Sequence, residues 1–113
     1  MIPTEWLDQA ARRLHGQINQ TPLTYDPELG LYLKWENRQL TGSFKIRGAL
    51  NKILSLERWE QKRGLVTASA GNHGQGVAYA GKQVAAQVIV FASSHAVPAK
   101  VKAMQELGAD VRL

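Results

Sequence analysis

The sequence contains no cysteine, which excludes disulfides, thiolate metal sites and a cysteine nucleophile and is compatible with a reducing compartment. Long apolar runs are also missing. The longest, Val88 to Ala92, is five residues, far short of the roughly 20 that span a bilayer. The segment Met1-Ile2-Pro3-Thr4-Glu5-Trp6 lacks the basic-then-apolar pattern of a secretory leader. A cytoplasmic location without membrane association is the expectation. Aromatic residues are sparse, and the basic residues Arg12-Arg13, Lys62-Arg63 and Lys100/Lys102 are scattered among acidic and apolar neighbours. No basic stripe interleaved with aromatics exists, so nucleic acid is not an expected partner. The net charge of +5 gives a modest positive field that suits a small anionic ligand.

Internal repeats and low-complexity linkers are absent as well, and 113 residues with 44% hydrophobic content support one domain or part of one. What is present alternates between two periods. Trp6, Leu7, Ala10, Ala11 and Leu14 share one helical face, with Gly16 as a stop. A turn at Asp26 to Gly30 leads into a strand over Leu31 to Trp35, and a polar loop runs from Asn37 to Ser43. Ile46, Ala49, Leu50, Ile53, Leu54 and Trp59 recur at helical spacing before Gly64, followed by a strand at Leu65 to Ala68. A helix rich in small residues is predicted from Asn72 to Lys82, where Gly74, Gly76 and Gly81 permit close approach to a neighbour. Val88 to Phe91 is apolar on both faces, as suits a buried strand of a parallel sheet. Pro98 opens a last helix with Val97, Val101, Met104 and Leu107 on its buried side, and Ala109 to Leu113 reads as a strand. The fold class is α/β, a parallel sheet with helical crossovers. Ligands in such sheets collect beyond the strand ends, here Asn37 to Ser43, Ser69 to Gly71 and Ala92 to Ala96.

Two segments carry candidate chemistry. In Thr41-Gly42-Ser43-Phe44-Lys45-Ile46-Arg47-Gly48-Ala49, the first helical turn holds Lys45 and Arg47 and no acid, against the preference of helix N-termini. A positive helix end and a poorly solvated position both disfavour an ammonium ion, so Lys45 is expected to supply a neutral amine for Schiff-base chemistry. A lone lysine is otherwise a solvated side chain, and its neighbours must decide the matter. In Thr67-Ala68-Ser69-Ala70-Gly71-Asn72-His73-Gly74-Gln75-Gly76, a strand turns into a helix with small residues where a ligand would approach. Its free amides suit a carboxylate, Ser69 can donate a hydroxyl hydrogen bond, and Asn72 can bond a phenolate-like oxygen. The structural alternative is that Asn72 only caps the helix and the glycines only pack. The glycine order, G-x-x-G-x-G, argues against a dinucleotide site. His73 and His95 lack partners at ligand spacing, so neither a metal nor a catalytic histidine is assigned.

Together, Ser43 to Ala49 and Ser69 to Gly76 resemble, in order and spacing, the two N-terminal signatures of fold-type-II pyridoxal-phosphate enzymes of the threonine/serine dehydratase family. The resemblance extends from Thr21-Pro22-Leu23 through Lys34-Trp35-Glu36 to Pro98-Ala99-Lys100-Val101 and Gly108-Ala109-Asp110-Val111, nearly the whole chain. It implies a partial fold-type-II, tryptophan-synthase-beta-like architecture. Residues 1–45 would then form an N-terminal helix and strand leading to the cofactor lysine, and 46–113 part of a small α/β domain. It further implies pyridoxal 5'-phosphate as cofactor, Lys45 as its Schiff-base lysine, Phe44 packed near it and Asn72 bonded to its ring oxygen. The loop Ser69, Ala70, Gly71, Asn72 and His73 would receive the carboxylate of a small amino-acid substrate. The implied reaction is β-elimination of threonine or serine to a 2-oxo acid and ammonia.

Serine racemases resemble this loop but carry a hydroxyl residue at the position of Ala70, so elimination is favoured over a serine racemase-like activity. The family's second half, with its phosphate loop and the residue facing the pyridine nitrogen, lies outside these residues. The chain is therefore expected to be an N-terminal portion with weak cofactor binding and little turnover alone. The rival readings are a non-catalytic fragment or interaction module of the same family and a small nucleotide binder. Apolar surface at Trp6/Leu7 or a sheet edge at Val88 to Phe91 would favour self-association, including a homo-oligomer.

Overall fold

In the computed structural model, which describes residues 1–113, helix α1 spans Thr4–Leu14, β1 Leu23–Asp26 and β2 Leu31–Lys34. Then come α2 (Lys45–Leu54), α3 (Arg58–Lys62), β3 (Leu65–Ala68), α4 (Asn72–Gln83), β4 (Val88–Phe91), α5 (Pro98–Glu106) and β5 (Asp110–Arg112). Strands β3, β4 and β5 form a parallel sheet in that order, with Leu65 opposite Val88 and Val90 opposite Val111. Helices α4 and α5 make the crossovers and pack on each other, so they cover the same face of the sheet. Helix α2 lies on α4, and α1 on α2.

This layering follows from side-chain size. Ile46, Leu50, Val90 and Met104 are fully buried, each contributing about 1.5–3 kcal/mol of transfer free energy. Ala49, Leu50 and Ile53 of α2 meet Val77, Ala78 and Ala80 of α4, and Val88, Val90 and Met104 close the core from the sheet side. The glycines of α4 divide between its two faces. A β-carbon on Gly81 would overlap Val88 Cγ2, and one on Gly74 would overlap Met104 Sδ. One on Gly76 would stand 3.3 Å from the Ala49 side chain and from the backbone of Lys45 and Ile46. The small residues thus bring α4 close to the sheet on one side and to the start of α2 on the other.

Several expectations require correction. Leu23–Asp26 is a strand, and it pairs antiparallel with β2 as a separate hairpin. The period-2 signal over four residues was masked by Pro22 and the following turn. The loop from Asn37 to Ser43, which overlaps a 3-10 turn at Glu36–Arg38, therefore leaves a hairpin and not a strand of the parallel sheet. The helix expected through Trp59 is two helices. Glu57 and Glu60 form a capping box that starts α3 afresh, and Trp59 is 60% exposed. No residue of the apolar face of α1 is fully buried, and Trp6 and Leu7 are on the surface, as the reading of apolar surface there expected. Val97 is also exposed, while Val101 and Leu107 are half-buried. Strand β4 is the centre of the sheet and not its edge. Only one of its faces is covered, because both crossover helices lie on the same side, and Val66 and Phe91 are exposed on the other.

The glycine geometry has opposite consequences at two positions. Gly81→Ala is expected to cost about 1–3 kcal/mol through overpacking against Val88. Gly48→Ala, in the middle of α2 with nothing within 4 Å of the added carbon, is expected to gain about 0.5–1 kcal/mol. Urea unfolding of both variants measures this, and an unchanged Gly81→Ala would show that α4 does not depend on the close approach.

Candidate active site

Helix α2 begins at Lys45 with Phe44 at the N-cap, and no side chain caps it in the usual way. The Lys45 amide reaches Ser43 Oγ only at 3.4 Å. As the sequence indicated, the first turn holds no acid. Arg47, however, has found one elsewhere. Its Nε and Nη2 each donate to Glu36 at 2.8 Å in a two-bond fork. Thr21 Oγ1 donates to Glu36 Oε1 at 2.5 Å, and Lys34 Nζ donates to the Thr21 carbonyl at 2.7 Å. Gln39 completes the junction by exchanging hydrogen bonds with the backbone of Asn19.

The Arg47 hydrogen bond holds the Glu36 carboxyl at about 2, down from its ordinary 4.5. Burial opposes the shift, and the Thr21 hydrogen bond and the charges of Arg47 and Lys34 reinforce it. Glu36, Thr21 and Lys34 were given no role from the sequence. An acid eleven residues before Arg47 has no local periodicity to reveal it, and only the chain reversal after β2 brings the two together.

Lys45 itself is exposed, which corrects the expectation of a poorly solvated position. No segment among residues 1–113 covers the outer side of this turn. Its ammonium stands 4.9 Å from the ring centroid of Phe44, itself 57% exposed, and is in no salt bridge.

The second motif lies between β3 and α4. Ser69 Oγ accepts the amides of Gly71 at 3.2 Å and Gly74 at 2.9 Å, so this hydroxyl caps α4 from outside the helix. Both acceptor positions of the hydroxyl are used, and its hydrogen remains available to donate. Gly71 is the N-cap, and the Asn72 side chain makes no capping bond. Asn72 and His73 are exposed, as is Ala70, and their amides and that of Ala70 bond no acceptor in the chain. The start of the turn is held by the Ser69 amide, which donates to the Phe91 carbonyl oxygen at 2.9 Å.

The two motifs meet. Phe44, Lys45, Arg47, Gly48, Ala49 and His73 line one shallow open pocket of about 300 Å³. The approach at Gly76 is what permits this, since its Cα faces the Lys45–Ile46 peptide. An exposed primary amine thus stands beside a helix N-terminus with free amides, an arrangement that suits a ligand carrying both a carbonyl and an anionic group. The loop Ala92 to Ala96, the third strand-end candidate, contributes no residue to this pocket.

A family model described as pyridoxal-phosphate dependent enzyme matches residues 14–113. The chain belongs to this pyridoxal-phosphate dependent enzyme family. Over its whole length it is 44% identical to an L-threonine ammonia-lyase of Thermotoga maritima, of which it covers 30%. Its fold superposes on the processed form of threonine deaminase isoform 2 from Solanum lycopersicum with a TM-score of 0.87 at 33% identity, covering 97% of this chain and 32% of that one. A serine racemase from Dictyostelium discoideum gives a TM-score of 0.91 at 37% identity, covering 97% and 38%. The chain therefore spans about a third of the length of the relatives it matches. Its architecture is a partial fold-type-II α/β fold with a parallel sheet, as the resemblance implied. No helix is long and apolar enough to cross a membrane.

The lowered Glu36 value makes a signed prediction. Its carboxylate contributes stability in full above 4.5, and that contribution is lost as pH falls through about 2. Glu36→Gln is expected to cost about 2 kcal/mol at neutral pH and to flatten the stability profile between these two values. Unfolding free energies measured across that range for both proteins test it, with parallel profiles as the contrary result.

Proposed function

We propose that the chain is the lysine-bearing N-terminal portion of an ammonia-lyase that converts threonine or serine to a 2-oxo acid and ammonia. The observation that carries the reading is the pocket shared by Lys45 and His73, which joins the two segments that resemble signatures of such enzymes, in a chain whose residues 14–113 match the pyridoxal-phosphate dependent family. The residues present fit one side of such a cofactor. Lys45 offers an unpaired amine, Phe44 an exposed ring beside it, and Asn72 a side-chain amide bonded to nothing else in the chain. In this reading Lys45 would hold the cofactor through its aldehyde group, Phe44 would pack near it and Asn72 would donate a hydrogen bond to its ring oxygen. When bound, pyridoxal phosphate supplies a conjugated system that takes up the electron pair left on the substrate α-carbon.

The chain's own work is orientation and proton transfer. The free amides of Ala70, Asn72 and His73, together with the Ser69 hydroxyl hydrogen, bind the substrate carboxylate at the positive end of α4. Once the substrate's amino group has displaced it, the freed amine of Lys45 would take the α-proton, and the β-hydroxyl would depart as water. Water then releases ammonia and the 2-oxo acid, so no net water is consumed. Ala70 presents a methyl where a racemase needs a second proton donor, which favours elimination over racemisation. Residues 46–113 would form part of a small domain, and the portion of the relatives' length that this chain does not span is the proposed source of phosphate contacts and the rest of the cleft.

Adding pyridoxal phosphate, reducing with borohydride and mapping the modified peptides tests the site. Modification is expected to concentrate at Lys45 and to vanish from that peptide in Lys45→Ala. Modification spread evenly over the surface lysines would overturn the assignment. Ammonia release from threonine by the 113-residue chain is expected to be negligible.

A further inference from the structure

The first turn of α2 carries the amine on which the proposed function rests, yet its local restraints are weak. Phe44 cannot cap it, and the Ser43 contact is long. Uncapped first turns leave amides unpaired and fray readily. Two tertiary contacts hold this one. Gly76 seats against the Lys45–Ile46 backbone from the core side. From the other side, the Arg47 fork to Glu36 ties the turn to the base of the hairpin.

Glu36 is well built for such a role. Its side chain is only 18% exposed, and its oxygens accept two bonds from Arg47 and one from Thr21, itself buried. The carboxylate therefore joins residues from before β1, after β2 and within α2. It also gives Arg47 a partner. Arg47 lines the same pocket as Lys45, and without Glu36 its guanidinium would be free to turn into that pocket beside the ammonium. A planar fork restrains orientation as well as distance, which a single-point contact does not.

We propose that Glu36 is a positioning residue for Lys45: acting through Arg47, it fixes the first turn of α2 and keeps the guanidinium turned away from the amine. The proposal rests on the reading of Lys45 as the cofactor lysine. None of Thr21, Lys34, Glu36 and Arg47 belongs to the hydrophobic core cluster, so orientation can be disturbed while the α2–α4–sheet core persists.

The test uses the 113-residue chain, pyridoxal phosphate and borohydride trapping, with Lys52 on the same helix as an internal reference. In the unaltered chain Lys45 is expected to be modified in preference to Lys52. Glu36→Gln is expected to reduce the Lys45-to-Lys52 ratio by about tenfold, the scale of a modest misplacement of a reacting group, and Glu36→Asp to restore part of it. A role confined to stability would lower the unfolding midpoint and leave the ratio unchanged, and that result overturns the proposal. No preference for Lys45 in the unaltered chain would instead overturn the functional reading. Should Glu36→Gln lose its helical circular dichroism, Arg47→Lys takes its place, because it keeps the charge and loses the fork. An unaltered ratio in that folded variant overturns the proposal equally.

Discussion

The contact at Gly76, where α4 touches the peptide joining Lys45 to Ile46, is the constraint on which the site depends. Hydrophobic burial presses α2 and α4 together, but burial alone does not set their separation. A methyl at position 76 would meet Ala49 and two backbone atoms at 3.3 Å, tighter than ordinary van der Waals contact. With hydrogen there, the start of α2 comes within reach of the start of α4. Two polar segments separated by more than twenty residues then share a pocket. The same helix uses Gly74 and Gly81, on its opposite face, to sit low on β4. The helix gives up intrinsic propensity at each glycine, and tertiary packing supplies what the local sequence does not.

Around that contact the polar groups divide into satisfied and unsatisfied sets. Glu36, Arg47, Thr21 and Gln39 each have well-placed partners and join segments distant in sequence, while the Ser69 hydroxyl is held within its own turn. Lys45 and the side chain and amide of Asn72 lack partners and face outward. The satisfied groups form a frame, and the unsatisfied ones are exposed at the starts of α2 and α4. That division is the pattern expected of a binding surface held by rigid supports. The uncovered sheet face, with Val66 and Phe91 exposed, and the exposed Trp6 and Leu7 of α1 agree with a chain that spans about a third of its relatives' length.

Much of this was legible without coordinates. Periodicity identified α1, α2, α4, α5 and the strands β2 to β5, because each has a burial pattern of its own or a clear stop such as Gly16, Gly64 or Gly108. Strand β1 was not legible, since four residues beside a proline and a turn carry little period-2 signal. The break between α2 and α3 depended on a capping box inside an apparently continuous apolar pattern. At the site, the acid-free first turn marked Lys45, and the run of small residues marked Ser69 to Gly76. Glu36 stayed hidden because its partners lie eleven and fifteen residues away on either side, and only a hairpin returns the chain past them.

The sequence by itself determined the order of elements, the alternation that makes a parallel α/β sheet and the two motifs that carry the chemistry. These are properties of neighbouring residues: periodicity, helix stops and the spacing of reactive side chains. Tertiary structure alone decided that Lys45 and His73 line one pocket, that Arg47 is held by Glu36 and that Ser69, not Asn72, caps α4. Each of these depends on where separate segments come to rest, and that is set by how closely glycine and alanine let helices approach and by which distant groups can share a hydrogen bond.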